Sequence, residues 1–132
     1  MTMLSHIMVG SDDMAASRKF YDAVFGVLGI DPAVEDAKGR LIYAQDSFLF
    51  MVSKPLDGQP ATHANGGTIG LAVSSPALVD ACHAAGVAHG GQSVEDPPGI
   101  RKNAMLKLYL AYLRDPAGNK LCATYRFPAE NA

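Results

Sequence analysis

The sequence has few of the residues that mark several large classes of protein. It contains two cysteines and no tryptophan, and its net charge at pH 7 is −2. Two cysteines favour reduced thiols over a disulfide framework, and the charge offers no basic field for nucleic acid. No apolar run approaches the roughly 20 residues of a membrane span, and the first residues lack the pattern of a secretory leader. We therefore expect a cytoplasmic protein without nucleic acid or membrane partners.

The residues that are present suit one globular domain. The chain has 132 residues, of which 48% are hydrophobic and 18% charged. A chain of this length can remove roughly two-thirds of its unfolded-state surface from water, so a substantial core is available.

The two halves of the chain resemble each other. Residues 68–73 begin the second half much as residues 6–10 begin the first, and each half continues with a helix, strands and a closing hairpin. A repeat of this length predicts an α+β fold built from two βαβββ modules, neither able to bury its apolar face alone. We place module one at about 3–53, a linker at 54–66 and module two at about 67–127.

Local patterns predict the elements of each module. In module one we expect a strand at 3–9, a helix from Asp13 to about Phe25, and strands at Val34, 41–44 and 48–52. In module two Ser75 and Pro76 are typical of a helix start. We expect a short strand near 92–94, a Pro- and Gly-rich loop at 96–103, and a hairpin of 105–113 with 120–125.

Four segments carry a resemblance to a known family. They are Leu4-Ser5-His6-Ile7, Ala16-Ser17-Arg18-Lys19-Phe20-Tyr21, Asn65-Gly66-Gly67-Thr68-Ile69 and Tyr112-Leu113-Arg114-Asp115-Pro116-Ala117-Gly118-Asn119-Lys120-Leu121. In this order they resemble the vicinal oxygen chelate superfamily, which contains glyoxalases, bleomycin resistance proteins and extradiol dioxygenases. The resemblance implies two paired βαβββ modules forming an open cupped sheet, commonly in a homodimer, around a metal site.

The family's metal ligands are only partly retained. The resemblance places His, His and Glu at three positions, which here hold His6, Thr68 and Cys122. One such ligand is too few for a tight Mg²⁺ or Mn²⁺ site, so we expect no cofactor. Two alternatives stay open: His63 could replace Thr68 through a shifted loop, or His6 and the Cys122 thiolate could hold a weakly bound softer metal with a third donor.

Strand alternation predicts which side chains line the cup. His6 faces it with Met8, and we assign Lys107 and Tyr109 to the same side as Cys122. The expected lining is His6, Met51, Thr68, Lys107, Tyr109, Cys122 and Thr124. His6 and Cys122 are the candidate catalytic residues, although each could instead be a packing residue. Arg101 could bind an anionic group of a ligand or simply be solvated.

Two classes of function remain open from the sequence. One is an enzyme of the lyase, isomerase or dioxygenase type, with an atypical metal site or with His6 as general base. The other is a metal-free protein that binds or sequesters a small molecule. The linker allows the two modules to pair within one chain or between subunits.

Overall fold

The computed structural model describes residues 3–129. Its ten elements follow in the order β1 (His6–Gly10), α1 (Met14–Val27), β2 (Val34–Glu35), β3 (Leu41–Gln45), β4 (Phe48–Ser53), β5 (Ile69–Ala72), α2 (Pro76–Ala88), β6 (Gln92–Lys102), β7 (Lys107–Arg114) and β8 (Lys120–Arg126). Neither helix in this range is long and apolar enough to cross a membrane.

The strands form two four-stranded sheets with the same topology. The first has the order β1-β4-β3-β2 and the second the order β5-β8-β7-β6. In both, the first strand of the unit runs parallel to the last, and the remaining pairs are antiparallel. The predicted α+β fold of two βαβββ units is therefore confirmed. Within the described residues β1 and β5 each hydrogen-bond to one neighbour only, so each leaves one strand edge unpaired.

Both helices begin where the sequence predicts. The Asp13 carboxylate accepts a hydrogen bond from the backbone N–H of Ala16 at 3.0 Å. The Ser75 hydroxyl accepts one from Leu78 N–H at 3.2 Å, and Pro76 follows at the first helical position. Each cap satisfies a backbone donor that has no partner within its own helix.

One core joins the two units. Each sheet turns its apolar face towards the helices, and α1 and α2 pack against each other. The Cys82 thiol of α2 lies 3.8 Å from the Val24 carbonyl oxygen of α1. Because the helices occupy the space between the sheets, the opposite face of each sheet points away from the core. We call these the free face of module one and the free face of module two.

A buried polar cluster also connects the units. The Tyr21 hydroxyl of α1 donates to Asp115 Oδ2 at 2.5 Å, and Asp115 lies in the turn between β7 and β8. The Asn119 side-chain amide donates to Asp115 Oδ2 and to the Gly10 carbonyl, both at 2.9 Å. The Asp115–Asn119 turn thus fixes module two against both α1 and β1.

Two predicted elements differ in extent. The first strand begins at His6 instead of Met3. The predicted loop at 96–103 is wrong for most of its length, because β6 runs from Gln92 to Lys102 with an irregularity between Val94 and Gly99. The ladder resumes at Gly99, so Pro97 and Pro98 lie in a bulge where their missing N–H groups cost no strand pairing.

Candidate functional site

The free face of module one is largely apolar. Val9, Phe50 and Val52 point into the core, so the alternating residues point the other way. Met8 pairs with Met51, and His6 pairs with Leu49, along β1 and β4. This face therefore consists of His6, Met8, Ile42, Leu49 and Met51. The predicted outward orientation of His6 and Met8 agrees with this placement.

The free face of module two is polar. Ala111, Leu113, Leu121 and Ala123 belong to the core, which leaves Leu110, Tyr112, Cys122 and Thr124 on the opposite side. The ladder pairs Tyr112 with Cys122 and Leu110 with Thr124. Lys120 shares this face, since its ammonium lies 4.6 Å from the centroid of the Tyr112 ring. A phenol, a thiol, a hydroxyl and a cation are thus gathered here.

The predicted placement of Lys107 and Tyr109 on this face is wrong. The Tyr109 hydroxyl donates to Asp80 of α2 at 2.8 Å, so its ring lies on the helix side of the sheet. Lys107 has the same strand parity, and its ammonium lies 4.4 Å from the Phe127 ring. The register pairs Ala111 with Ala123 and Tyr112 with Cys122, so Tyr112 shares the face of Cys122 and Tyr109 does not. A slip of one residue moves every side chain of a strand to the other face.

Cys122 is a buried, protonated thiol. The residue is about 5% exposed, and its sulfur lies 3.0 Å from the Thr124 hydroxyl oxygen. Burial raises the pKa of Cys122, and this effect outweighs the opposing influence of Thr124, Tyr112 and Lys120. A thiol with a raised pKa is a weak nucleophile at neutral pH. This environment favours the packing alternative over the thiolate alternative.

His6 is exposed at the start of β1. Its Nδ1 lies 2.7 Å from the hydroxyl oxygen of Ser5, so one ring nitrogen already has a partner. Because the two free faces point away from each other across the core, His6 is not brought together with Thr68 or Cys122 of its own chain. Thr68 is exposed just before β5, and the ladder continued by one residue places it beside Lys120.

Arg101 is engaged by its own bulge. Its guanidinium donates to the Asp96 and Pro97 carbonyls at 3.1 and 3.0 Å. It shares the strand parity of Gly99, which pairs with Leu110, and so belongs to the free face of module two. These two bonds shape the bulge and reduce the number of donors that Arg101 could offer a ligand.

Sequence reasoning missed Tyr112, Lys120 and Glu95 as site residues. The Glu95 carboxylate forms an ion pair with Lys120. The turn between β7 and β8 could have identified Tyr112 and Lys120 from the sequence. Pairing across Asp115–Asn119 starts with Arg114 and Lys120, and two steps inward it reaches Tyr112 and Cys122. No comparable signal existed for Glu95, since its position depends on the bulge in β6.

An apolar cavity lies outside both free faces. It has a volume of about 520 Å³ and occupies the space beyond the C-terminal end of α1, between the β3–β4 hairpin and β5. Phe25, Tyr43 and Phe50 form its floor. It contains none of the polar groups described above, so we assign the candidate site to the free faces.

The side chains do not fit the metal site that the family commonly has. Among residues 3–129, no three His, Cys, Asp or Glu side chains are grouped so that they could hold an ion. At the three expected positions a hydroxyl and a protonated thiol replace an imidazole and a carboxylate. Neither group is a good ligand for a hard divalent cation. His63, the alternative donor, lies beside Gly118 in the β7–β8 turn.

Comparison with known proteins identifies the family. The family model described as Glyoxalase/Bleomycin resistance protein/Dioxygenase superfamily matches residues 3–123, and the chain belongs to this family. No curated protein matches the sequence significantly. A glyoxalase/bleomycin resistance protein from Albidiferax ferrireducens T118 is 54% identical over 95% of this chain and 100% of its own, with a TM-score of 0.91.

More distant structures share the fold alone. A glyoxalase-related enzyme from Fulvimarina pelagi is 19% identical over 95% of this chain and 88% of its own, with a TM-score of 0.70. A lactoylglutathione lyase from Agrobacterium tumefaciens is 18% identical over 94% of this chain and 93% of its own, with a TM-score of 0.63. The predicted superfamily is confirmed by the family model, and the predicted fold by these structures as well.

Proposed function

We propose that this protein binds a small polar molecule, without a tightly held metal, in a cup shared by two copies of the chain. The free face of module two carries the observation on which this rests. There Tyr112, Cys122, Thr124 and Lys120 offer neutral and cationic hydrogen-bonding groups where the family commonly presents metal ligands. Such a surface suits recognition of a polar ligand more than Lewis-acid chemistry.

Two features support a cup composed of two chains. The free faces of one chain point in opposite directions, so neither face is covered by the other module of the same chain. The unpaired edges of β1 and β5 are exposed strand edges, which proteins commonly cover by pairing. Pairing β1 of one chain with β5 of a second copy, and the reverse, gives a two-fold symmetric homodimer with two cups. Each cup then combines His6 from one subunit with Cys122 from the other.

Cross-linking tests this arrangement directly. In a background of Cys82→Ala and Cys122→Ser, one chain carries His6→Cys and a second, coexpressed chain carries Thr68→Cys. We expect a short bismaleimide to give a covalent dimer only when both chains are present. Each chain expressed alone is the matched control. A double variant that cross-links only within a monomer would overturn the shared cup.

Catalysis is the second candidate function. The Glu95–Lys120 pair next to Cys122 supplies an acid and a base on the same face, which general acid–base chemistry requires. In the shared cup, His6 of the other subunit adds a third titratable group. A lyase, isomerase or dioxygenase activity that is lost in both His6→Ala and Lys120→Met would support this alternative. The two buried free thiols suit the reducing cytoplasm in either case.

A further inference from the structure

The ammonium of Lys120 lies where a ligand in the cup would meet it. It stands over the Tyr112 ring, and its side chain is only about 21% exposed. Thr68, just before β5, lies beside Lys120 when the ladder is continued by one residue, and Cys122 is the next residue of β8 on the same face. A cation held against an aromatic face beside a buried thiol is partly desolvated, and its attraction for an anion is therefore stronger than in bulk water.

Glu95 forms an ion pair with Lys120 and has an unusual backbone conformation. Its φ is 61°, a left-handed value that residues other than glycine adopt only at a cost. The bulge in β6 holds Glu95 in this conformation, and the carboxylate then reaches Lys120. Glycine or asparagine would adopt this φ with less strain. The backbone conformation therefore does not explain why residue 95 is a glutamate, and the ion pair of its carboxylate with Lys120 gives a reason.

We propose that Lys120 is the anion-recognition residue of the cup and that Glu95 is a built-in competitor which a ligand's carboxylate displaces. This inference rests on the proposed function and adds the chemical class of the ligand. The Glu95 side chain is about 48% exposed. The Glu95 carboxylate keeps access to water, so hydration replaces part of its attraction to Lys120 when a better-placed anion displaces it.

The opposite wall of the cup defines the rest of the ligand. The free face of module one offers Met8, Leu49, Met51 and Ile42, and Met8 is about 46% exposed in the single chain. Methionine side chains adapt their shape to apolar partners and make favourable contacts with aromatic rings. The ligand class is therefore a small molecule with one anionic group and an apolar or aromatic body.

Benzoate and its uncharged analogue benzamide test this class. Protein labelled with ¹³C at the methionine methyl groups reports ligand entry through the Met8 and Met51 signals, which single substitutions assign. We expect benzoate to bind more tightly than benzamide. Lys120→Met should weaken benzoate binding about tenfold or more and leave benzamide unchanged, because only the charge-assisted interaction is lost. Glu95→Gln should tighten benzoate binding several-fold by removing the competitor.

Lys107→Met is the matched control, since Lys107 also stacks on an aromatic ring but lies on the helix side of the same sheet. It should leave both affinities unchanged. If both probes shift Met8 and Met51 while Lys120→Met binds benzoate normally, the role of Lys120 is overturned and the cup stands. If Glu95→Gln weakens benzoate binding, Glu95 is a ligand contact and the competition is wrong. If neither probe moves Met8 or Met51, the ligand class is wrong, and the cross-linking result decides separately whether the cup is shared by two chains.

Discussion

The two modules have the same strand order but present opposite chemistry on their free faces. Module one offers methionine and aliphatic side chains with a single imidazole, His6. Module two offers Tyr112, Lys120, Cys122 and Thr124, with Glu95 nearby. The repeated backbone thus provides two similar surfaces. The surface of module one is suited to apolar contacts, and that of module two to hydrogen bonds and charge. In the proposed homodimer, each cup would combine one module of each kind.

The largest expected effect concerns the contact that holds the unlike modules together. Asp115 accepts hydrogen bonds from Tyr21, from the Asn119 side chain and from the backbone N–H groups of Ala117 and Asn119. Asp115→Ala leaves these mostly buried donors without an acceptor, and we expect a loss of about 3 kcal/mol or more in the free energy of unfolding. Urea denaturation measures it.

Tyr43→Phe is the control within one module. The Tyr43 hydroxyl donates to Asp22 of α1 at 2.7 Å and does not connect the modules. Its removal should cost about 1 kcal/mol. Equal losses for Asp115→Ala and Tyr43→Phe would show that the inter-module cluster contributes no more to the free energy of unfolding than a hydrogen bond within one module.

The sequence was sufficient for the fold because its signals are local. Asp13, Ser75 and Pro76 mark the helix starts, and Gly118 has the positive φ of 95° that the turn after Asp115 requires. Hydrophobic alternation then identifies the strands. The superfamily follows from the same segments.

The candidate site was harder to predict, since it depends on register and on the packing of whole modules. One residue of error in the pairing of β7 with β8 placed Lys107 and Tyr109 on the face that Tyr112 occupies. Lys120 has the same strand parity as Cys122 and follows from the register of the β7–β8 turn. The bulge that brings Glu95 to Lys120 was hidden because Pro97 and Pro98 are typical of a loop. The direction of each free face depends on how α1 packs on α2, which no local pattern encodes.

Metal binding should also distinguish the two modules. We expect purified protein without a His tag to carry well under one equivalent of divalent metal, because only His6 remains of the family's common ligands. Thr68→His combined with Cys122→Glu restores those ligands on module two. Divalent-metal affinity should then rise about a hundredfold, or roughly 2.7 kcal/mol, as measured by elemental analysis and calorimetric titration.

Thr68→Ser with Cys122→Ser is the matched control and should gain no metal affinity. In the restored variant, a further His6→Ala substitution should remove the metal. Wild-type protein that purifies with near one metal per chain, lost in His6→Ala, would contradict our assignment of a metal-independent site.

The smallest expected effect is on Cys122 itself. Because its thiol already neighbours the Thr124 hydroxyl, Cys122→Ser should retain the fold and change the free energy of unfolding by about 1 kcal/mol or less. Alkylation at neutral pH should be slow at Cys122. Because the pKa of Cys122 is raised, little thiolate is present at neutral pH. The alkylation rate should therefore keep increasing above the pH at which an ordinary thiol is already ionised. Benzoate in the cup should slow it further.

Cys82 provides the comparison for this last measurement. It is fully buried in the core, and burial raises its pKa to about 11. Its alkylation should therefore require unfolding, whereas Cys122, on the free face of module two, should be modified slowly in the folded protein. Mass spectrometry of the two cysteine peptides over time distinguishes the sites. Rapid labelling of Cys122 at neutral pH that disappears in His6→Ala would show instead that a partner imidazole activates the thiolate, and module two would then carry nucleophilic chemistry as well as recognition.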